Sequence, residues 1–380
     1  MTSFDAQALA QRFIPFESLR YSTEAFIDYR IPECSPKYNY ALIGPGVSQN
    51  PNQPISLRER HGFQVGGVSM PHGKMNPPHM HFTCEVFICV RGEWEILWGF
   101  NPDHRSARIG PGDIISVPTW IYRGFRNIGV DDGFMFTALG GDDTGGILWG
   151  PTTLAAAAAN GLHLTDNYQI IDEHKGQRIE APLKPLEPMT PQEIAGLRDW
   201  SESEMLARVV RGSGLQWSTH GFLDSALPGR GGRLAPVIGL GISEDRDAEP
   251  PIANSHGVSI EWLSIPPGGR VGQHRLAEKQ VVIAVQGDLG IELDSGIAQS
   301  LHCLKGREAA WDTYALPGEV WRSFANQGPD EVRALLLTSG DHRKHIDWSP
   351  EVSDRAASAG WSHDANRHVA LKRFTDRSQR

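Results

Sequence analysis

The chain has 380 residues, a formal net charge of −9 and 39% hydrophobic residues. This length accommodates two domains with a linker, and the hydrophobic content is ample for their cores. The net negative charge argues against nucleic-acid and anionic-membrane surfaces, where a basic stripe is expected. No apolar run reaches the roughly eighteen residues of a membrane-spanning helix, and the four cysteines lack the CxxC spacing of a thiolate zinc site.

The amino terminus does not resemble a secretion signal. Asp5 and Gln11 interrupt its apolar positions, and Arg12 comes late, whereas a signal peptide places its basic residues before an apolar run. We therefore expect a cytoplasmic protein.

A metal-ligand pattern occupies residues 79–85. His79, His81 and Glu85 lie at even spacing, and residues at even spacing share one face of an extended strand. Two imidazoles and a carboxylate suit a borderline divalent metal, and three protein ligands leave coordination positions open, as in a catalytic site. The pattern predicts one divalent metal ion per chain.

Turn residues bracket this segment at regular distances. Gly73 precedes the pattern and Gly92 follows it, and residues 110–113 read Gly-Pro-Gly-Asp, a turn signal. Residues 114–117 form a short apolar run that predicts a strand.

The spacing resembles that of the cupin superfamily. Its small β-barrel, a double-stranded β-helix or jelly roll, carries a first motif of Gly, His-x-His, Glu and Gly. A second motif of Gly-Asp, Pro, a last metal-ligating His and Asn follows. The first motif is complete here, but Arg123 stands five residues after Pro118, where the family usually has its last His. Because arginine offers no lone pair to a metal, the predicted centre is His79, His81 and Glu85.

Two roles are open for Arg123. Its guanidinium suits a substrate carboxylate held bidentately beside the metal. Alternatively, Arg123 pairs with Glu85 or Asp113 and holds the barrel together. Alternation places the neighbouring Tyr122 on the opposite face, as core packing, but a bulge in this strand would let Tyr122 reach the site as a fourth ligand or an acid. Arg123 and Tyr122 are therefore the candidate catalytic residues.

Helix signals follow in the middle of the chain. The alanine-rich residues 154–161 predict a short helix that ends at Asn-Gly. After a Pro-rich stretch, Thr190-Pro191-Gln192-Glu193 forms a capping box that predicts a helix to about residue 200. Residues 202–210 are a further candidate helix.

The second half of the chain repeats the first. With an offset of 195, Gly73 maps to Gly268 and His79 to His274; with an offset of 199, Pro118 maps to Pro317, Arg123 to Arg322 and Asn127 to Asn326. The repeat predicts two barrels of common design.

The second copy lacks most of the ligands. His81 maps to Leu276 and Glu85 to Gln280, and neither replacement is a good ligand for a transition metal. We therefore assign the metal to the first barrel alone and expect His274 to be a hydrogen-bonded core or pocket histidine.

These patterns predict an all-β dominated fold with short helices in the linker and the tail. The predicted divisions are a metal-binding barrel with an amino-terminal extension (1–150), a helical and Pro-rich linker (151–215), a degenerate barrel (216–345) and a helical tail (346–380) that begins at Ser349-Pro350-Glu351. Exposed barrel edges predict a homo-oligomer, a dimer or higher.

The resemblance also limits the function. Gentisate-type dioxygenases are similar in architecture and often hold iron in the first barrel alone, but they use three histidines and lack the Glu. Oxalate decarboxylases and oxidases hold manganese with three His and one Glu. We therefore expect a non-haem iron dioxygenase-like oxidoreductase, with Fe(II) and a small, aromatic organic acid as substrate.

Two alternatives remain open. One is a manganese, zinc or nickel centre that acts as a Lewis acid in an isomerase or lyase. The other is a non-catalytic bicupin, either a ligand-binding module or a storage-like scaffold, since fold alone does not assign chemistry.

Overall fold

The computed structural model describes residues 4–100 and 105–376. The chain forms two compact units, and their boundary falls between Gly214 and Leu215. One unit is Leu19–Gly214, and the other joins the residues up to Ser18 to those from Leu215 onward. Each unit is built mainly from short strands.

The elements before Leu215 are, in chain order, α1 (Ala6–Ala10), β1 (Phe13–Ile14), β2 (Tyr21–Ser22), β3 (Tyr38–Ile43), β4 (Ile55–Leu57), β5 (Phe63–Met70), β6 (Met75–His81), β7 (Glu85–Arg91), β8 (Trp94–Trp98), β9 (Arg105–Ile109), β10 (Ile114–Val117), β11 (Arg123–Asn127), β12 (Gly133–Gly140), β13 (Ile147–Trp149), α2 (Pro151–Ala159), β14 (Leu162–Leu164), β15 (Ile170–Asp172), α3 (Pro191–Ala195), α4 (Glu202–Leu206) and β16 (Val209–Val210).

The remaining elements are β17 (Arg233–Ile238), β18 (Val258–Ile265), β19 (Arg270–Arg275), β20 (Gln280–Asp294), β21 (Gln299–Arg307), β22 (Ala310–Trp311), β23 (Thr313–Leu316), β24 (Trp321–Asn326), β25 (Val332–Ser339), β26 (Asp347–Trp348), α5 (Pro350–Ser358), β27 (Trp361–His363), β28 (Val369–Leu371) and α6 (Lys372–Thr375). Among the described residues, no helix combines the length and the hydropathy that crossing a membrane requires.

Two sheets form the first barrel, within Leu19–Gly214. One sheet has the order β16-β10-β7-β12-β5-β3-β2, with β4 beside β3, and the other has the order β13-β6-β11-β8-β9. Strand β7 is buried along almost its whole length between β10 and β12, which explains its continuous apolar sequence. Side chains from both sheets meet in one hydrophobic core, which includes Val68, Phe87, Trp94, Ile96, Ile115, Phe125 and Met135.

The second barrel repeats this design with a longer central strand. Its main path is β17-β18-β25-β20-β24-β19-β26, and β20 also pairs with β21 and β23. The register supports the repeat seen in the sequence, because Arg123 pairs with His79 across β11 and β6 and Arg322 pairs with His274 across β24 and β19.

The predicted domain boundaries differ from the units at the amino terminus and in the tail. Phe13 and Ile14 of β1 pair with β23, and the Tyr314 hydroxyl donates to the Leu9 carbonyl over 2.6 Å. The amino-terminal segment therefore belongs with the second barrel. Val352 of the tail is also buried in the second barrel's core.

The alanine-rich helix begins at Pro151 instead of residue 154 and ends at Ala159, next to the predicted Asn-Gly. The two later helix signals were correct at their starts and less accurate at their ends. Thr190 and Glu193 form the predicted capping box, but the helix ends at Ala195 instead of near residue 200. The candidate helix over 202–210 ends at Leu206. Residues Val209–Val210 are a strand instead, because they pair with the edge strand β10.

Candidate metal centre

His79, His81 and Glu85 converge inside the first barrel. One potential ligand atom from each lies within 4.8 Å of the others, and all three residues are buried. The prediction that they share one strand was wrong: the histidines end β6, the chain bends, and Glu85 begins β7 in the other sheet. The three side chains meet because the two sheets face the same interior.

Backbone carbonyls orient the two imidazoles. His79 Nδ1 lies 2.8 Å from the Pro77 oxygen, and His81 Nδ1 lies 3.3 Å from the Gly146 oxygen. Because a carbonyl only accepts, each Nδ1 carries a proton, so Nε2 is the ring nitrogen that can bind a metal. Burial holds the pKa of His79 well below its ordinary value, so its ring is neutral. Imidazoles whose Nδ1 is held in this way fit a bound metal.

Glu85 supplies the carboxylate. Its Oε2 lies 3.4 Å from His81 Nε2, a separation that fits two ligands each about 2.0–2.2 Å from one ion. Burial alone would raise the pKa of Glu85, but the attraction of His81 and Arg123 outweighs it and lowers the pKa to about 2. The carboxylate is therefore ionised over the physiological pH range.

Arg123 lies behind Glu85 and does not line the cavity. Its Nη1 is 3.4 Å from Glu85 Oε2, Nη2 donates to the Pro118 carbonyl over 2.6 Å, and Nε donates to the Ile121 carbonyl over 3.3 Å. The side chain is fully buried. This geometry supports the alternative in which Arg123 pairs with Glu85, and not direct contact with a substrate.

A small cavity opens in front of the three ligands. About 50 Å³ of it is accessible to the centres of water-sized molecules, and its wall includes His79, His81 and Glu85. Since one water needs roughly 10–15 Å³ by this measure, the space corresponds to about four waters.

The comparisons with known proteins agree with this architecture. The family model described as cupin matches residues 51–162, which contain all three ligands. The fold is similar to that of an oxalate decarboxylase from Lactobacillus farciminis, solved as a formate complex: the TM-score is 0.52 at 13% identity, covering 90% of this chain and 92% of that one. Residues 51–162 thus match the cupin family, and the chain as a whole has a two-barrel, bicupin fold.

Other structures share the bicupin fold. Vicilin from tomato, Solanum lycopersicum, has a TM-score of 0.52 at 11% identity, covering 89% of this chain and 87% of that one. An oxalate decarboxylase from Bacillus subtilis gives the same TM-score and identity and covers 99% of this chain and 87% of that one. No curated protein matches the bicupin in sequence. At these identities the likeness shows the fold alone.

The structure does not bring Tyr122 to the other candidate residues. A register shift does interrupt β11 between Arg123 and Phe125, but it leaves Tyr122 outside the strand. The Tyr122 hydroxyl lies 3.4 Å from Met189 Sδ, and its ring packs on Phe100 at 4.9 Å between centroids. Tyr122 thus lies in a separate, mainly apolar pocket.

Two polar residues of the cavity wall were missed by the sequence analysis. Lys37 and Asn76 line the cavity with the three ligands, and the Lys37 ammonium donates to the Asn76 side-chain oxygen. Asn76 Nδ2 lies 3.0 Å from His79 Nδ1. That contact is not a hydrogen bond while Nδ1 is protonated, because both nitrogens are then donors.

The second barrel has an apolar or neutral residue at each corresponding position. With the offset of 195, Lys37 maps to Gly232, Asn76 to Val271, His81 to Leu276 and Glu85 to Gln280. His274 is buried and its Nδ1 lies 2.8 Å from the Gly272 oxygen, as expected for a hydrogen-bonded core histidine.

Proposed function

We propose that this bicupin is a metal-dependent enzyme whose first barrel oxidises a small organic acid at a non-haem iron centre. The observation that carries the proposal is the buried convergence of His79, His81 and Glu85 on one cavity. A two-histidine, one-carboxylate set with open positions is typical of non-haem iron oxygenases. When bound there, Fe(II) would supply the redox chemistry that uses dioxygen as co-substrate.

The protein's own contribution is orientation and charge. The carbonyls of Pro77 and Gly146 fix the two rings with Nε2 facing inward, and such outer contacts strengthen metal binding. Arg123 keeps Glu85 ionised and limits its movement. The barrel wall buries all three ligands, so bulk water is largely excluded from the site.

A non-redox manganese enzyme is the second candidate. One solved structure of the Bacillus subtilis oxalate decarboxylase concerns the Mn(II) centres of that enzyme. That enzyme has the same two-barrel fold. Carboxylate and imidazole ligands also suit Mn(II). The likeness to vicilin keeps a non-catalytic role as the third candidate.

Metal analysis separates these candidates. The protein is purified without added ions, and its metal content and dioxygen uptake with small organic acids are measured beside a His81→Ala variant. The matched control is His274→Ala, which removes an equally buried histidine from the second barrel. We expect one equivalent of iron in the wild type and the control, its loss in His81→Ala, and dioxygen uptake only where iron is present.

Three other results of the metal analysis would favour a different function or a different site. One equivalent of manganese with turnover but no dioxygen uptake would favour the non-redox enzyme. No metal in any of the three proteins would contradict a catalytic centre and favour the scaffold. Two equivalents, one of them lost in His274→Ala, would assign a site to the second barrel.

A further inference from the structure

Lys37 is a buried cation on the wall of the cavity. Its side chain is about 5% exposed, and among the described residues that line the cavity it is the one with an ammonium or guanidinium group. It directly precedes β3. Burying an ammonium costs several kcal/mol unless partners compensate it, so its position needs an explanation.

Two partners compensate part of this cost. Asp28, which is fully buried, accepts from the Lys37 ammonium over 2.5 Å, and Asn76 accepts a second hydrogen bond. An ammonium has three N–H donors. The third N–H has the Phe26 ring as a neighbour, 4.9 Å from Nζ to its centroid, and this ring lines the same cavity, where a ligand oxygen would be a stronger acceptor than the ring.

The two barrels differ at this place in a consistent way. Scaffold residues recur in both, such as Asn127 and Asn326, whose side-chain nitrogens donate to the Asp131 and Asp330 carbonyls over 2.7 Å. Lys37 does not recur. It maps to Gly232, where an added Cβ would come within 2.6 Å of Val271, the counterpart of Asn76.

The second barrel thus has close apolar packing where the first has Lys37 and Asn76. This change accompanies the loss of the ligands equivalent to His81 and Glu85. The buried aspartate is part of the shared scaffold, because Asp224 corresponds to Asp28 at an offset of 196 and pairs with Arg230 over 3.3 Å. The ammonium of Lys37, in contrast, stands on the cavity wall beside the three ligands. The comparison therefore places Lys37 with the site.

The charges around the cavity favour an anion. The buried groups Lys37, Asp28, Glu85 and Arg123 balance one another. A divalent ion on the three ligands would leave two positive charges uncompensated in a low-dielectric interior. Burial raises the pKa of Asp28, and protonation of Asp28 would only add to the positive charge.

We propose that Lys37 binds the carboxylate of the substrate, and that this substrate is a short aliphatic carboxylate of about two to four carbons, an inference that rests on the proposed function of the first barrel. The third N–H of Lys37 donates to a carboxylate oxygen, and the rest of the acid faces His79, His81 and Glu85. The narrow space in front of the ligands, with room for a few waters, favours a short aliphatic chain over an aromatic ring. The substrate class therefore differs from the aromatic acid expected from the sequence.

The test measures binding instead of turnover. Titration calorimetry with glycolate, pyruvate and benzoate is carried out on metal-loaded wild type and on a double variant, Lys37→Met with Asp28→Asn, which removes both charges of the pair. The matched control is Lys344→Met with Glu261→Gln, two equally buried residues of opposite charge type in the second barrel. Metal content is measured for each protein.

We expect the Lys37→Met double variant to keep its metal and to bind glycolate at least about tenfold more weakly, as for a lost hydrogen bond to a charged group. The control keeps wild-type affinity. Lys37→Gln with Asp28→Asn keeps hydrogen bonding without charge and serves if the first variant does not fold; it should also lose affinity.

Unchanged glycolate affinity in both Lys37 variants would overturn the assignment of Lys37 and leave the proposed function intact, because the metal content reports on the metal ligands separately. Benzoate binding as tight as that of glycolate would overturn the substrate class, and so would a wild type that binds none of these acids. If the wild type holds no metal, the proposed function fails. In that case, glycolate binding to the metal-free wild type and its loss in the Lys37 variants still test whether Lys37 binds the carboxylate.

Discussion

Arg123 and Arg322 make the same two hydrogen bonds in the two barrels. Each donates Nη2 to a proline carbonyl, over 2.6 and 2.7 Å, and each donates Nε to a second carbonyl nearby, over 3.3 and 3.2 Å. They differ at Nη1, which lies 3.4 Å from Glu85 in the first barrel and has no hydrogen-bond partner among the described residues in the second. In both barrels the arginine thus holds the loop before its strand through two carbonyl groups. In the first barrel it also pairs with a carboxylate.

This difference predicts unequal effects of removing the two arginines. Arg123→Met leaves a buried carboxylate without its cation and should destabilise the first barrel by about 3–5 kcal/mol. Arg322→Met leaves only carbonyl acceptors unpaired and should cost about 1–3 kcal/mol. Urea unfolding of the metal-free proteins measures both losses. Adding Glu85→Gln to Arg123→Met should recover part of its loss; equal losses for the two single variants would mean that the pairing with Glu85 contributes nothing.

Tyr122→Phe tests whether that hydroxyl takes part in the chemistry. The hydroxyl contacts Met189 and the ring packs on Phe100, away from the metal ligands. We therefore expect unchanged metal content, unchanged glycolate binding and at most a small loss of stability. A variant that keeps its metal and its fold but loses turnover would show that Tyr122 reaches the site in the working enzyme.

Gly124→Ala should disturb the metal centre without changing a ligand. An added Cβ at Gly124 would lie 2.7 Å from the Asn76 carbonyl oxygen, so β6 would have to shift next to His79. We expect at least about tenfold weaker metal binding, measured by competition with a chelator. The second barrel has Ser323 at the equivalent position and accommodates its side chain, so Ser323→Ala is the control and should leave metal binding unchanged.

Local signals in the sequence predicted much of this architecture. The capping residues Thr190 and Ser349 begin helices as expected, because a helix start depends on residues within one turn. The repeat with offsets of 195 and 199 predicted two barrels, and the register of Arg123 and Arg322 with their histidines agrees with it.

Features that depend on distant pairing were not predictable in the same way. Phe13–Ile14 is a strand only because it pairs with β23, and two residues carry no periodic pattern. Lys37 is far from the histidines in sequence and reaches the cavity through the pairing of β3 with β5. The offset of 195 could have found it, since Lys37 and Asn76 both change to apolar or small residues in the second copy.

The second barrel should show a pH dependence that arises from Glu261 and Lys344. Burial raises the pKa of Glu261 from 4.5 to about 8, although backbone hydrogen bonds and Lys344 oppose it. Burial also lowers the pKa of Lys344 from 10.5 to about 8. Between pH 4.5 and 8 the folded protein holds the Glu261 proton that the unfolded chain has lost, so this carboxyl lowers stability as pH rises through that window.

Lys344 has the opposite slope at higher pH. Between pH 8 and 10.5 the unfolded chain binds its proton and the folded protein does not, so stability rises with pH there. The two groups together predict a minimum in their contribution near pH 8. Glu261→Gln keeps an acceptor for the Ile242 N–H, which Glu261 accepts over 2.8 Å, and removes the titrating proton.

We expect Glu261→Gln to raise the urea midpoint of the second barrel more at pH 8 than at pH 5, by a difference of a few kcal/mol in unfolding free energy. Glu331→Gln is the control. Arg333 and Ser264 lower the pKa of Glu331 against the effect of its burial, so its ionised form is the stabilising one and its replacement should lower stability at pH 8. Equal gains for Glu261→Gln at both pH values would show that Glu261 is already ionised in the folded protein at pH 5, with Lys344 as its permanent counter-ion.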